Sequence, residues 1–200
     1  MIDIDKKAEY TIGIYSYKNF VSLLEEEKLM VLEWRNNQSI RKFMYNRNEI
    51  LLEDHLAFMD NLQDSEDKFY WLVMRSGLPI GVVNIVSIIP LLCKAELGYY
   101  MRPDKKNCGL GLDFVYHAFY FAFERGLKEL YGSVDETNKN ALILDEYLGC
   151  QFIINDKYEE NGAVYVPWTF KKDSFMVDSV DKNNLRSYYL YIKQYNVKRL

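Results

Sequence analysis

Cysteine is scarce and unpatterned. Cys93, Cys108 and Cys150 are the only three in 200 residues. Their spacing fits neither a zinc ligand set nor a C-x-x-C redox motif, and an odd number cannot all pair. They read as free thiols of a reducing cytoplasm. Excess positive charge is also missing. The formal net charge is −4, which argues against a general nucleic-acid surface, so any phosphate site must be local. No apolar run reaches membrane-spanning length: the longest, over residues 80–93, is broken by Asn84, Ser87 and Pro90. Residues 1–9 are charged, so no signal peptide is expected there. Internal repeats, low-complexity tracts and a linker that would split the chain are absent too. What remains is a single domain long enough to bury a sizeable core. Its composition is 49% hydrophobic and 16% aromatic, with 17 tyrosines, rings that serve a core or a lined pocket equally well.

Periodicity orders the elements. Near-alternating β-branched and aromatic residues predict a strand over 10–17. Helical spacing predicts helices over 23–34 and 51–62, with a short one over 39–45. Strands follow over 68–74, 80–88 and 95–101, the first two joined by the turn Ser76-Gly77-Leu78-Pro79. Leu112, Val115, Tyr116, Phe119 and Phe123 repeat at helical spacing, and Gly126 lies where a left-handed cap belongs. A strand over 129–134 leads to a helix capped by Asn138 and Asn140 and stopped by Gly149. Residues 152–155 and 163–170 read as a final strand pair around the turn Glu160-Asn161-Gly162. Residues 173–200 are ambiguous. The order is that of a mixed α/β or α+β layer fold, not a doubly wound parallel one. A dinucleotide fingerprint would need a third glycine, and Phe114 stands there.

The chain turns on Lys106-x-x-Gly109-x-Gly111, between an apolar strand and a long amphipathic helix. Two glycines let the backbone approach a ligand, and the helix behind them offers free N–H groups and the positive end of its dipole. That combination suits a pyrophosphate. Two turn glycines with no ligand, Cys108 being a small loop filler, is the commoner reading of these residues alone.

The ordered set nevertheless resembles the GNAT family of acyl-CoA-dependent N-acetyltransferases over about residues 10–172. Lys106-x-x-Gly109-x-Gly111 resembles that family's Arg/Gln-x-x-Gly-x-Gly/Ala loop, with lysine as the departure. Asn138-x-x-Ala141 and Leu148-Gly149-Cys150 resemble its helix after the fifth strand. The resemblance implies a mixed sheet of about seven strands flanked by about four helices. It implies acetyl-CoA as co-substrate, no metal, and a cytoplasmic monomer or homodimer that engages neither nucleic acid nor membrane. Residues 1–172 would form the acetyltransferase domain, and 173–200 an extension packed on it. Met101, Lys106, Asn107, Cys108, Gly109, Leu110, Gly111, Leu112 and Asn138 would hold the cofactor, and Lys139 would be within reach of one of its phosphates.

Glu33-Trp34-Arg35-Asn36, Met44-Tyr45, His55-Leu56-x-Phe58, Leu97-Gly98-x-Tyr100 and Glu136-x-Asn138 are similar to one branch of that family. Its members acetylate the 4-amino group of UDP-linked 4-amino-4,6-dideoxy sugars in pseudaminic acid biosynthesis. The resemblance implies that Arg35, Met44, Tyr45, His55, Phe58 and Tyr100 line the acceptor site. Glu136 would accept the amine's proton, with Glu96 a second candidate base whose face alternation leaves undecided. The family usually carries a tyrosine acid four residues before the helix-ending glycine. Here Asp145 occupies that position, and an ordinary aspartate of pKa about 3.9 is ionised at neutral pH. Either its pKa is raised, or solvent protonates the thiolate, or catalysis is slow. Tyr147 lies about 200° round the helix from it and is no simple substitute. Two rivals stay open: the same fold acting on a protein N-terminus or small amine, and a non-catalytic module binding CoA or a nucleotide sugar.

Overall fold

Gly13 divides the strand expected over residues 10–17. Its φ of +59° starts a two-residue turn, and β1 (Tyr10–Ile12) folds back antiparallel on β2 (Tyr15–Asn19). Glycine at the first position of such a turn matches the twist of the flanking strands. This is a computed structural model, and it describes residues 2–105 and 110–175.

Helix α1 (Glu25–Asn36) begins with three glutamates against its N-terminal dipole and closes with Arg35. The helix expected over 39–45 is a single turn, α2 (Gln38–Arg41), whose N-cap Asn37 accepts the Ser39 N–H at 3.0 Å. After α3 (Leu52–Asn61) come β3 (Lys68–Arg75) and β4 (Leu78–Ile89), joined through Ser76 and Gly77, both at positive φ. β5 (Lys94–Met101), α4 (Gly111–Glu124), β6 (Glu129–Asp135) and α5 (Lys139–Leu148) follow. Gly149, at φ +106°, ends α5.

The strand expected over 152–155 is shorter and displaced. β7 is only Gln151–Phe152, a 3-10 turn follows, and β8 (Tyr158–Glu160) forms the hairpin with β9 (Ala163–Lys171). Asn161 and Gly162, both at positive φ, make that turn. The split first strand and the separation of β7 from β8 bring the strands to nine among the described residues. Counting α2, the α-helices among the described residues are five. After β9, Phe175 stacks on Tyr116 of α4. The rest of the ambiguous tail, residues 176–200, lies outside the described residues.

The strands form one sheet in the order β1-β2-β3-β4-β5-β6-β9-β7, with β8 on β9. Every described pair is antiparallel except β5 with β6. That parallel pair holds only at Lys94↔Glu129, Ala95↔Leu130 and Glu96↔Tyr131. Beyond Glu96 the two strands separate, while β6 stays paired with β9 along its whole length.

Period-two alternation sorts the side chains onto two faces. Phe69, Trp71 and Val73 join Ala95, Leu97 and the α4 and α5 residues in the larger core. Leu72 and Val82, with Tyr70 and Tyr100 beside them, pack against Val31, Trp34, Ile40 and Met59 of α1–α3 and against Leu62 just past α3. Glu96, Gly98 and Tyr100 therefore share the α1–α3 face, and Tyr99 points to the opposite one.

Candidate active site

The site begins where β5 and β6 part. Past Glu96, residues 97–101 and 132–135 no longer bond to one another, and a wedge opens between adjacent strands. At its wide end Met101, Gly111 and Leu144 meet. A Cβ on Gly111 would lie 3.4 Å from Leu144 Cδ1 and 4.0 Å from Met101 Sδ. The N-terminus of the 14-residue α4 opens at this meeting point, with the dipole and orphan N–H groups that favour an anion. Leu110 precedes it, half-buried. Leu112 is only 2% exposed, so a ligand contact there would run through its backbone. Lys106, Asn107, Cys108 and Gly109 lie outside the described residues. Asn138 caps α5 by accepting the Ala141 N–H at 3.4 Å, and Lys139 Nζ donates to the Glu136 carbonyl at 2.8 Å. Both side chains serve the β6–α5 turn.

On the other face a polar cluster sits beneath α1 and α2. Arg35 Nη2 donates to the Asn46 carbonyl at 2.7 Å, while Nη1 is buried with no partner. Burial lowers its pKa, and the nearby Tyr100 and Tyr70 phenols oppose that. A half-buried guanidinium with an idle N–H and, among the described residues, no carboxylate partner is suited to an incoming anion. Phe58 meets Tyr70 edge-on at 5.1 Å, and Met44 packs into the same cluster. The Tyr45 hydroxyl bonds Ser133 Oγ and the Tyr158 hydroxyl, and its ring lies 4.7 Å from Tyr165.

His55 is placed elsewhere. It is 5% exposed, and its Nε2 bonds the Lys28 carbonyl at 3.0 Å, pinning α3 to α1. That is about 10 Å along α1 from Arg35. Burial lowers its pKa. The position is that of a packing residue, not one that lines the Arg35 cluster.

Three carboxylates differ in setting. Glu96 sits at the last paired register of the wedge. Burial raises its pKa. Burial also raises the Tyr45 and Tyr70 phenols, and the charge of Glu96 adds to both. Glu136, just past β6, is half-exposed and pairs with Lys157 at 3.1 Å. Asp145 is 1% exposed. Its Oδ1 accepts from the Tyr99 hydroxyl, and its Oδ2 is buried without a partner. Burial pushes its pKa up to about 7, against the lowering effect of that hydrogen bond.

Several residues here were not legible from sequence. Asp135 is buried, ion-paired with Arg47, and accepts the Thr137 N–H at 2.8 Å, which fixes the turn carrying Glu136. Tyr70, Ser133, Tyr158 and Tyr165 complete the polar cluster around Arg35 and Tyr45, and Tyr99 partners Asp145. The one usable signal was the polar alternation Tyr131, Ser133, Asp135 along β6.

Comparison with known proteins identifies the family and the fold. The acetyltransferase (GNAT) domain family matches residues 21–151. Acetyltransferase PseH of Campylobacter jejuni subsp. jejuni serotype O:23/36 (strain 81-176) is 33% identical over 141 residues, 70% of this chain and 85% of that protein. PseH of C. jejuni serotype O:2 is 38% identical over 92 residues, 46% of this chain and 57% of that protein. The crystal structure of C. jejuni N-acetyltransferase PseH in complex with acetyl coenzyme A superposes with a TM-score of 0.60 at 26% identity. That match covers 79% of this chain and 99% of the other.

Proposed function

The chain belongs to the GNAT family, which transfers acetyl groups from acetyl-CoA to amines, and we propose that its acceptor is the 4-amino group of a nucleotide-linked amino sugar. The observation that carries this reading is the half-buried Arg35 with its buried, idle Nη1, beside Tyr70 and Tyr100 on the face that bears Glu96. A planar fork for a diphosphate, aromatic and methionine surfaces for a base or deoxy sugar, and a carboxylate at the wedge answer the three parts of such an acceptor. PseH, by name an N-acetyltransferase in its structure, supports the same assignment.

In this reading the acyl thioester enters the wedge from the α4 side and the amine from the α1–α3 side. Holding both in line supplies most of the acceleration, on the order of 7–11 kcal/mol for well-oriented pairs. Backbone N–H groups over 97–101 stabilise the carbonyl oxygen as charge develops. Glu96 takes the amine's proton as the N–C bond forms. Its raised pKa lies closer to the operating pH than that of an exposed glutamate, which suits a base. Glu96 is preferred to Glu136 because it stands at the vertex of the wedge, whereas Glu136 is held by Lys157 at the mouth. A reaction fed by acetyl-CoA belongs in the cytoplasm.

The test is release of CoA thiol from acetyl-CoA with UDP-4-amino-4,6-dideoxy sugars, set beside peptides, amino acids and polyamines. Turnover confined to the nucleotide sugars is the expected result. Faster turnover of a peptide or polyamine would keep the family assignment and overturn the acceptor.

A further inference from the structure

The segment between α2 and α3 reaches from one half of the sheet to the other. Its base is closed on α1. Asn36 Nδ2 donates to the Ile50 carbonyl at 2.8 Å, and the Ile50 N–H donates to Asn36 Oδ1 at 2.9 Å. Its crest, residues 44–47, grips β6 and the β8–β9 hairpin. The Tyr165 hydroxyl donates to the Met44 carbonyl at 3.3 Å, and Asn161 Nδ2 donates to the Tyr45 carbonyl at 3.0 Å. The Tyr45 hydroxyl bonds those of Ser133 and Tyr158. Arg47 Nη2 donates to Asp135 Oδ2, and Asp135 stands opposite Tyr165 in the β6–β9 register. β5 and β6 are not paired at this level. The crest is therefore a bridge, on the α1–α3 face, between two halves of the sheet that strand pairing leaves apart.

Arg35 hangs on this bridge. Its Nη2 donates to the Asn46 carbonyl at 2.7 Å, one residue before Arg47. The anchor at the other end is firm. Asp135 is 3% exposed, and its Oδ1 accepts the Thr137 N–H at 2.8 Å and the Thr137 hydroxyl at 2.6 Å. The strand behind it is paired with β9 along its whole length. A chain of contacts thus runs from Asp135 through Arg47 and the Asn46 peptide to the Arg35 guanidinium. An arginine has a long, rotamer-rich stem, and ordering such a stem is part of the cost of binding unless it is held beforehand.

We infer that Arg47 is a positioning residue for acceptor binding: its ion pair with Asp135 fixes the 44–47 bridge, and the bridge presents Arg35 to the anionic part of the acceptor. The inference rests on the reading that Arg35 receives the diphosphate of a nucleotide-linked sugar. Arg47 acts through Arg35 and not on the substrate. Loosening the bridge leaves Arg35 charged but unheld, so the acceptor binds less tightly. Glu96 and the α4 side of the wedge keep their own supports, so the chemical step and the binding of acetyl-CoA are left alone.

Initial rates with acetyl-CoA and a UDP-4-amino-4,6-dideoxy sugar test this on the full chain. The variants are Arg47→Met, Asp135→Asn, Arg47→Lys and Arg35→Ala, with Arg47→Met also placed in the Arg35→Ala background. Thermal melting checks that each is folded at the assay temperature. Methionine keeps most of the stem and removes the charge. Asparagine keeps an oxygen for Thr137 and removes the charge, so the turn survives. Each should raise the acceptor KM roughly tenfold, with kcat and the KM for acetyl-CoA held within about twofold. Lysine still meets Asp135 as a point charge and should recover most of the loss. In the Arg35→Ala background Arg47→Met should add less than about twofold, because residues that act through one another are not additive. An effect that instead multiplies with that of Arg35→Ala overturns the proposal. So does an equal rise in both KM values, or a lower kcat with both KM values unmoved, since either makes the pair a purely structural one. If Arg47→Met does not fold with Asp135 left unpaired, the double variant Arg47→Met/Asp135→Asn removes both charges and carries the same comparison. An unchanged acceptor KM in Arg35→Ala would remove the acceptor reading and this one together. A raised acceptor KM in Arg35→Ala, with that of Arg47→Met and Asp135→Asn unmoved, would remove this one alone.

Discussion

The two faces of the sheet are built differently. The α4–α5 face is a dry aromatic core in which Phe114, Phe119, Phe121, Trp168 and Phe170 are buried against one another. Among the described residues, the carboxylate buried on this side is Asp145, bonded by Tyr99. The α1–α3 face has a smaller core that gives way to Arg35, Glu96 and hydroxyls shared among Tyr45, Ser133 and Tyr158. Close-packed cores relax little, so one face fixes the position of the strands. The other offers groups whose usual partners are absent or shared, which is how a surface that handles a polar substrate is built. The wedge lies where these two kinds of packing meet.

Three substitutions probe that contrast. Phe119→Ala empties a fully buried site between Tyr99, Trp168 and Phe170. It should cost about 3–5 kcal/mol in chemical denaturation. A loss under 1 kcal/mol would mean that the face is not the rigid one.

Glu96→Gln should do the reverse. The rate should fall roughly 100-fold, and the acid limb of the kcat profile should vanish. In the wild type that limb should lie above the ordinary glutamate range, because burial raises the Glu96 pKa. The carboxyl ionises more readily in the unfolded chain, so wild-type stability falls as pH rises toward the raised value. The glutamine variant should therefore melt no lower at pH 8. An unchanged rate would move the base to Glu136, to be checked with Glu136→Gln.

The smallest effect is expected of Arg35→Ala. The KM for the nucleotide acceptor should rise about tenfold, near 1.4 kcal/mol. kcat and the KM for acetyl-CoA should move little. An equal rise for acetyl-CoA would place Arg35 on the donor side.

Much of this plan was legible in the chain. Helical spacing marked α1, α3 and α4, and Asn138 and Gly149 bounded α5 where they stand. The misjudged elements share a cause. The strand over 10–17 ran through Gly13, whose positive φ folds it in two. The strand over 152–155 lacked a continuous partner and kept only two paired residues. Local pattern carries no information about pairing partners, and pairing is what makes a strand. The cluster that we propose as the acceptor site was partly legible, in that Arg35, Met44, Tyr45, Phe58 and Tyr100 lie on one face. His55 was not, because its partner is a backbone carbonyl two turns back along α1, invisible to any motif.

By itself, the sequence determined the order of elements, the caps and turns, and which residue types the chemistry has to work with. These depend on neighbours within a few residues. Only the tertiary structure decided that β5 and β6 part after Glu96, that Glu96 faces the α1–α3 side, and that Tyr99 reaches Asp145. Alternation sets the period of a strand but not which layer covers each face. The acidity of Asp145 depends on the water excluded by α4, α5 and β5 together, a property of the assembled layers and of no single segment.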